Sequence, residues 1–398
     1  MKKENYGGHR DRYLLFLGIT VMLLILFRNS VRVFLGESIS LIGIAGYFTL
    51  FPAFFLLIGS INELKKYFVF IFFFCYLFLL MIFQISEQGI VSIVGFCNIF
   101  APMFFFLTLF RLADDKQYIF EHILKLLIIV VLINSIGGLL QGTISINIFG
   151  LISNDIYANA EVMSKGSVTP RLISFISSPQ SLAVALAFGF SLATFFWPKE
   201  YSGLYKVMAM ILIFITGALT LSKAFFLFLF IVFFSHAIIN RSILLPILVI
   251  GGISLLSFHE RFQRIFLADT FISDISTYSA FKYWIEGFRD MAQIGNLFFG
   301  KGLGIYSRGG QILSGSDEIH GVESYIIQIF AETGLIGISS LLLIIICSIK
   351  RCFSNNKLLV PIILAFLVNG IFSPALYGYL SGTLFSFVIV SSFFIQRK

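Results

Sequence analysis

The chain has 398 residues, of which 58% are hydrophobic and 12% are charged, and its formal net charge is +8 at pH 7. Soluble proteins carry roughly 25% charged residues, so this composition excludes a soluble enzyme, a disordered regulator and a secreted disulfide scaffold. A polytopic membrane protein remains, in which excess lysine and arginine are more typical of cytoplasmic loops than of a nucleic-acid-binding surface. We therefore expect no nucleic-acid partner.

Apolar runs along the chain predict the membrane-spanning helices. A helix needs about 20 apolar residues to cross the ~30 Å hydrocarbon layer. Runs bounded by charged or polar breaks predict twelve spans, at about 13–35, 39–61, 67–86, 89–110, 122–141, 175–197, 204–221, 223–239, 242–258, 323–349, 358–376 and 379–396. The expected fold is an all-α polytopic protein with one integral membrane domain, residues 1–398.

The distribution of positive charge predicts the orientation. With the N-terminus in the cytoplasm, 17 Lys and Arg residues fall on the cytoplasmic side and 11 on the external side, six of them in one long external loop. Charges in long loops count little in the positive-inside rule, so the comparison favours a cytoplasmic N-terminus. An even number of spans then returns the C-terminus to the cytoplasm.

Two external segments, 142–174 and 259–321, interrupt the pattern of short loops. The second contains 13 charged residues in 63, whereas the rest of the chain has 35 in 335. Within it, residues 279–294 place Phe281, Trp284 and other apolar residues at the spacing of an amphipathic helix. We expect short helices that form a folded cap over the outer membrane face, between the ninth and tenth spans.

Five cations of the predicted external side lie at the ends of predicted spans or in this cap: Arg171, Lys223, Lys282, Arg289 and Lys301. A cation near the hydrocarbon boundary is costly unless it pairs or binds an anion. Converging Arg and Lys side chains would suit a diphosphate. The alternative is snorkelling, or pairing with acids such as Glu286 and Asp290, and for Arg289 a surface position is favoured.

Three glycines alternate in the segment 300–304. This spacing alone is weak evidence for a dinucleotide loop, because no strand-then-helix context surrounds it. We expect a tight backbone turn there, with amide groups that could face an anion.

The segment 317–325 is dense in acidic and polar residues and leads into the tenth span. Glu323 or His320 could act there as a general base on an acceptor hydroxyl. The alternative is that Glu323 is a first-turn acid that stabilises the helix. Further along, Glu332 either holds a packing contact or faces a cavity, and Gly334 and Gly337 favour close helix packing.

The four cysteines show no sign of a disulfide or a metal site. Cys75, Cys97 and Cys347 lie in apolar runs, and Cys352 lies in a short basic loop. No pair has the spacing of a zinc site, so we interpret all four as packing residues and expect neither a metal nor another cofactor.

Four segments resemble motifs of the bacterial O-antigen ligase and polymerase families and follow one another along the chain in the same order. They are the run from Glu323 to Gly337, the turn 299–304, the segment 170–179 that contains Arg171, and Thr220–Ala224. The resemblance covers about residues 170–340. The ligases typically carry a His-Asn pair where this chain has Glu323-Ser324, which favours a Wzy-type repeat-unit polymerase. Lys223 also stands where arginine is usual, and it lacks the bidentate fork of that side chain.

The resemblance implies a GT-C-like, metal-independent glycosyltransferase of the bacterial inner membrane. It would transfer a growing glycan from undecaprenyl diphosphate to a new undecaprenyl-diphosphate-linked repeat unit at the periplasmic face, beside a flippase and a chain-length regulator. In this hypothesis Glu323 is the base and His320 its rival. Cations hold the diphosphate: Arg171, Lys223 and Lys301, with Arg289, Arg308 or Lys282 assisting.

Two other functions stay open. A polysaccharide-lipid flippase or secondary transporter also has about twelve spans, but such proteins often contain internal repeats and none is evident between 1–200 and 201–398. A ligase that joins polymer to lipid A-core or to protein is the other alternative.

Overall fold

The computed structural model describes residues 8–26, 48–50, 67–144, 172, 174–176, 178–220, 222–241, 284–285, 288–289, 294–307, 324–373, 376 and 379–395. Within these ranges the chain forms helices and turns, with no strand. The α-helices are α1 (His9–Leu26), α2 (Phe68–Gln88), α3 (Ile90–Ile99), α4 (Ala101–Leu112), α5 (Lys116–Ile144), α6 (Pro179–Phe195), α7 (Gly203–Leu219), α8 (Lys223–Asn240), α9 (Ile294–Phe299), α10 (Tyr325–Asn355), α11 (Leu359–Phe372) and α12 (Tyr379–Ser391).

Several of these helices have the length and hydropathy of membrane spans. In the described part of the chain, α2, α5, α8 and α10 each meet both requirements, and α3 with α4 meets them as a bent pair. The helices α6, α7, α11 and α12 are apolar but shorter. A spanning segment must satisfy its backbone groups internally, and an all-helical chain with such segments does so.

Ten of the twelve predicted spans fall largely on described residues, and each of these ten contains a helix. The predicted spans 39–61 and 242–258 lie outside the described residues, except for a short 3-10 turn at Phe48–Leu50. The span predicted at 89–110 is two helices, which bend by 47° near Phe100. Pro102 opens α4, and because proline has no N–H to donate back along the helix, it favours this break.

Charged residues gather where several helices start or end. The carboxylate of Asp11 in α1 accepts hydrogen bonds from the backbone N–H groups of Asp114 (2.8 Å) and Asp115 (3.0 Å), just before α5. Along α5, Lys125 pairs with Glu200 at 2.8 Å, in the turn between α6 and α7. We call this region, with the start of α2 and the end of α10, the basic end.

Ring contacts show that the start of α2 and the end of α10 both lie at the basic end. Phe70, near the start of α2, packs edge-on against Phe393 with 5.0 Å between ring centroids. The guanidinium of Arg351, near the end of α10, lies 4.4 Å from the centroid of the same ring. The next residue, Phe394, stacks at 5.7 Å on Phe110, near the end of α4 and the start of α5. Consequently α2 finishes, and α10 begins, at the opposite end of the bundle, which we call the motif end.

Buried phenylalanine rings fill the space between the helices. Phe106 of α4 packs on Phe387 of α12 at 5.3 Å, and Phe228 of α8 packs on Phe366 of α11 at 5.0 Å. Cys97 and Cys352 are buried in the same core and form no disulfide. Their interpretation as packing residues is therefore confirmed.

Candidate functional site at the motif end

The structure describes three of the eight predicted site residues. Lys223 is the first residue of α8 and is half-buried, whereas Arg289 and Lys301 are exposed. The other five lie outside the described residues: Arg171, Lys282, Arg308, His320 and Glu323. Of these, Arg171 and Glu323 each directly precede a described residue, which locates the chain beside them.

A kink in α10 accommodates a second segment of chain. Gly334 has φ 66° and ψ −169° inside the helix, a conformation that side chains disfavour. A Cβ atom at Gly334 would lie 2.3 Å from the carbonyl carbon and oxygen of Phe298, at the end of α9. The close packing predicted for this glycine is confirmed, and its partner is backbone rather than another spanning helix.

The segment 300–304 is the tight turn that its glycines predict. Gly300, Gly302 and Gly304 all have positive φ angles, of 76°, 144° and 80°. The N–H of Lys301 donates to the carbonyl oxygen of Ala331 in α10 at 2.8 Å, and the N–H of Leu303 donates to a side chain of α2 at 2.9 Å. These amides are bonded to protein atoms, so they do not serve as the anion-facing groups that the sequence left open.

Two glutamines of α2 hold this glycine turn from the other side. The carbonyl oxygen of the Gln84 side chain accepts from the N–H of Leu303, and the side-chain amide of Gln88 donates to the carbonyl oxygen of Lys301 at 3.1 Å. Neither glutamine is among the site residues that the sequence predicts. The available signal was a pair of amides four residues apart, on one face of a largely apolar helix.

Glu332 holds a packing contact, which resolves the alternative that the sequence left open. Its side chain is fully buried. One carboxylate oxygen accepts hydrogen bonds from the backbone N–H of Tyr306 at 3.2 Å and from the side-chain amide of Gln328 at 3.0 Å. A buried carboxylate is stable only when it is paired or hydrogen-bonded, and these donors tie the residues after the glycine turn to α10.

The start of α10 locates the chain next to Glu323. The helix begins at Tyr325, its N-cap is Ser324, and its first turn contains no acidic residue. Glu323 precedes the cap, so the alternative of a first-turn acid is wrong. The hydroxyl of Ser324 donates to the carbonyl oxygen of Gly370 in α11 at 3.3 Å.

The start of α8 is bonded to the same part of α11. The side-chain amide of Asn369 donates to the carbonyl oxygen of Ala224 at 2.9 Å, and Asn369 is buried. Ala224 directly follows Lys223, and Ser324 directly follows Glu323. Because Asn369 and Gly370 are consecutive, both are attached to neighbouring positions of one helix.

The residues after Arg171 pack on α5. A Cβ atom added at Gly138 would lie 3.6 Å from the side chain of Leu172 and 2.8 Å from that of Thr216 in α7. The N–H of Ser174 donates to the side-chain oxygen of Gln141 at 2.9 Å. Since α5 and α7 both start at the basic end, these contacts near their far termini place this segment at the motif end.

Part of the predicted cap is described, and it contacts α10 and α11. Trp284 and Phe288, four positions apart in the sequence, are both helical, as the amphipathic pattern predicts. The Trp284 ring lies 6.2 Å from that of Phe372 in α11, and the Phe288 ring lies 6.1 Å from that of Phe330 in α10. Most of the predicted helix 279–294, like most of 142–174, lies outside the described residues.

At the motif end the structure describes three cations of the predicted site: Lys223, Arg289 and Lys301. Among the residues that the structure describes, no three His, Cys, Asp or Glu side chains gather in a way that could hold a metal ion. No protein-family model matches the sequence, and a search of curated proteins finds no significant match.

Proposed function

We propose that the chain is a Wzy-type polymerase of the bacterial inner membrane. It transfers a growing glycan from undecaprenyl diphosphate to an undecaprenyl-diphosphate-linked repeat unit. In this proposal the chain has about twelve spans, a GT-C-like arrangement and cytoplasmic termini, and the motif end faces the periplasm. A flippase that delivers the repeat units and a chain-length regulator are its proposed partners.

One observation supports the proposal most directly. The residues that directly follow Arg171, Lys223 and Glu323 are attached to α5 or α11 at one end of the bundle. Ala224 and Ser324 bond to Asn369 and its neighbour Gly370, and Leu172 packs with Thr216 on one glycine of α5. Segments distant in sequence are thereby gathered, as a site for two lipid-anchored anions requires.

The proposed reaction uses the residues as follows. The acceptor hydroxyl oxygen attacks the anomeric carbon of the glycan, the bond from that carbon to the diphosphate breaks, and undecaprenyl diphosphate leaves with the electron pair. Glu323, or alternatively His320, takes the hydroxyl proton. Cations offset the charge on the leaving group: Arg171, Lys223 and Lys301, with Arg289, Arg308 and Lys282 assisting.

The test is complementation of a deletion strain, read as a ladder of surface glycan. Glu323→Ala at normal expression is expected to collapse the ladder to lipid A-core with one repeat unit, whereas Glu318→Ala in the same segment is the matched control. Unchanged long chains would overturn the assignment of Glu323 as the base. If the deletion strain itself lost every attached repeat, a ligase or a flippase would be indicated instead.

A further inference from the structure

We infer that Gln88, supported by Gln84, is a positioning residue that directs Lys301 towards the diphosphate. The inference rests on the proposed function, because it assumes that the Lys301 ammonium binds phosphate. Its structural basis is independent of that assumption. It lies in the hydrogen bonds that hold the glycine turn 300–304 between α2 and α10.

The peptide groups of Lys301 are held from both sides. Its N–H donates to the carbonyl oxygen of Ala331 in α10 at 2.8 Å, and its carbonyl oxygen accepts from the Gln88 side chain in α2 at 3.1 Å. The side chain itself is exposed. Two helices therefore determine where the base of this side chain lies, while its charge is left at the surface.

The glycines bring the turn directly onto α2 and α3. A Cβ atom at Gly302 would lie 1.9 Å from the amide nitrogen of Gln88, and one at Gly304 would lie 2.5 Å from the carbonyl oxygen of Val91. On the facing surface, a Cβ atom at Gly95 would lie 2.3 Å from the N–H nitrogen of Gly304. Backbone thus packs on backbone, and the turn cannot shift without losing these contacts.

The chemistry of lysine explains why such a support matters. Its ammonium is a point charge at the end of a flexible four-carbon stem, and it lacks the planar fork of arginine. Holding the backbone of Lys301 in place removes backbone freedom that would otherwise be lost on binding, so only the side chain remains to be ordered. A glutamine provides this support without adding a charge that would attract or repel the phosphate.

Two matched substitutions separate this role from general packing. Gln84→Glu keeps the oxygen that accepts from Leu303, whereas Gln88→Glu removes the donor to Lys301 and turns an anionic oxygen towards a carbonyl oxygen. The two changes add the same charge one helical turn apart. With purified full-length protein in lipid nanodiscs and undecaprenyl diphosphate as the probe, Gln88→Glu is expected to weaken binding roughly tenfold, and Gln84→Glu less than about twofold.

A double-mutant cycle tests whether Gln88 acts through Lys301. Lys301→Ala is expected to weaken binding of the probe, and adding Gln88→Glu to it should cause little further loss, because coupled residues are non-additive. A purely structural contribution of Gln88 would instead add to the loss. If Gln88→Glu is not recovered folded, Gln88→Met removes the donor without adding a charge and should behave in the same way.

The outcomes separate this inference from the function that it rests on. If Lys301→Ala weakens binding but neither Gln88 variant does, or if Gln84→Glu and Gln88→Glu weaken it equally, the positioning role of Gln88 is wrong and the phosphate site stands. If Lys301→Ala leaves binding unchanged, the assignment of Lys301 to the diphosphate fails together with the inference.

Discussion

The buried carboxylate of Glu332 accepts a hydrogen bond from the backbone N–H of Tyr306 at 3.2 Å, although the two residues are 26 positions apart. One residue lies beside the kink of α10, and the other lies two residues beyond the glycine turn. The bond therefore attaches the described part of the predicted external loop to a spanning helix.

Removing this acceptor is expected to destabilise the protein. Glu332→Ala would remove the buried acceptor of the Tyr306 N–H and of the Gln328 amide, at a cost of about 1–3 kcal/mol. Glu332→Gln keeps an acceptor oxygen of similar position and should lose less. The measurement is the thermal unfolding midpoint of the purified protein in detergent, and equal losses in the two variants would contradict this account of the contact.

A methyl group at the kink should be far more damaging than one nearby. Gly334→Ala would combine a positive φ with a 2.3 Å approach to Phe298, whereas a Cβ at Gly295 of α9 would meet nothing within 4 Å. We expect a loss of at least about 1–3 kcal/mol for Gly334→Ala and little change for Gly295→Ala. The folded fraction after size-exclusion chromatography and the unfolding midpoint measure this, and a stable Gly334→Ala protein would show that the kink is dispensable.

The cation at the start of α8 provides a test of the proposed site. Lys223→Ala is expected to slow polymerisation by roughly 10-fold to 100-fold, the effect of losing a charge-assisted hydrogen bond of about 1.5–3 kcal/mol. Lys223→Arg should retain long chains because it keeps the charge. The readout is the surface-glycan ladder of a complemented deletion strain. Lys199→Ala, which removes an exposed cation from the basic end, is the control, and a full ladder with Lys223→Ala would exclude a role for this charge.

Two aspartates at the basic end should differ in their contribution to stability. Asp11 is buried and accepts from two backbone N–H groups, so Asp11→Ala should cost about 1–3 kcal/mol. The Asp114 side chain pairs with Arg10 at 3.5 Å, but the two side chains are 66% and 55% exposed, and such pairs contribute about 0–1 kcal/mol. Denaturation of the two alanine variants compares them directly, and a greater loss for Asp114→Ala would contradict this ranking.

Local patterns predicted the parts of the structure that depend on local physics. Hydropathy located the helices because lipid and core both select apolar runs, and alternating glycines predicted the turn because only glycine readily adopts positive φ. The break at Phe100 was missed although Pro102 signals it. The first-turn role considered for Glu323 was wrong because Ser324 is the better N-cap, and the helix starts after it.

The sequence alone determined that this is an all-helical chain with apolar segments of membrane-spanning length, and it drew attention to Lys223, Lys301 and Glu332. Only the tertiary structure decided which distant segments surround and contact them. Gln84 and Gln88 reach a turn more than 200 positions away, and Asn369 reaches Ala224 across 145 positions. Composition and periodicity indicate whether a residue is in a helix and whether its surroundings are apolar. A hydrogen bond between distant segments depends instead on how the helices pack, and no local pattern encodes that packing.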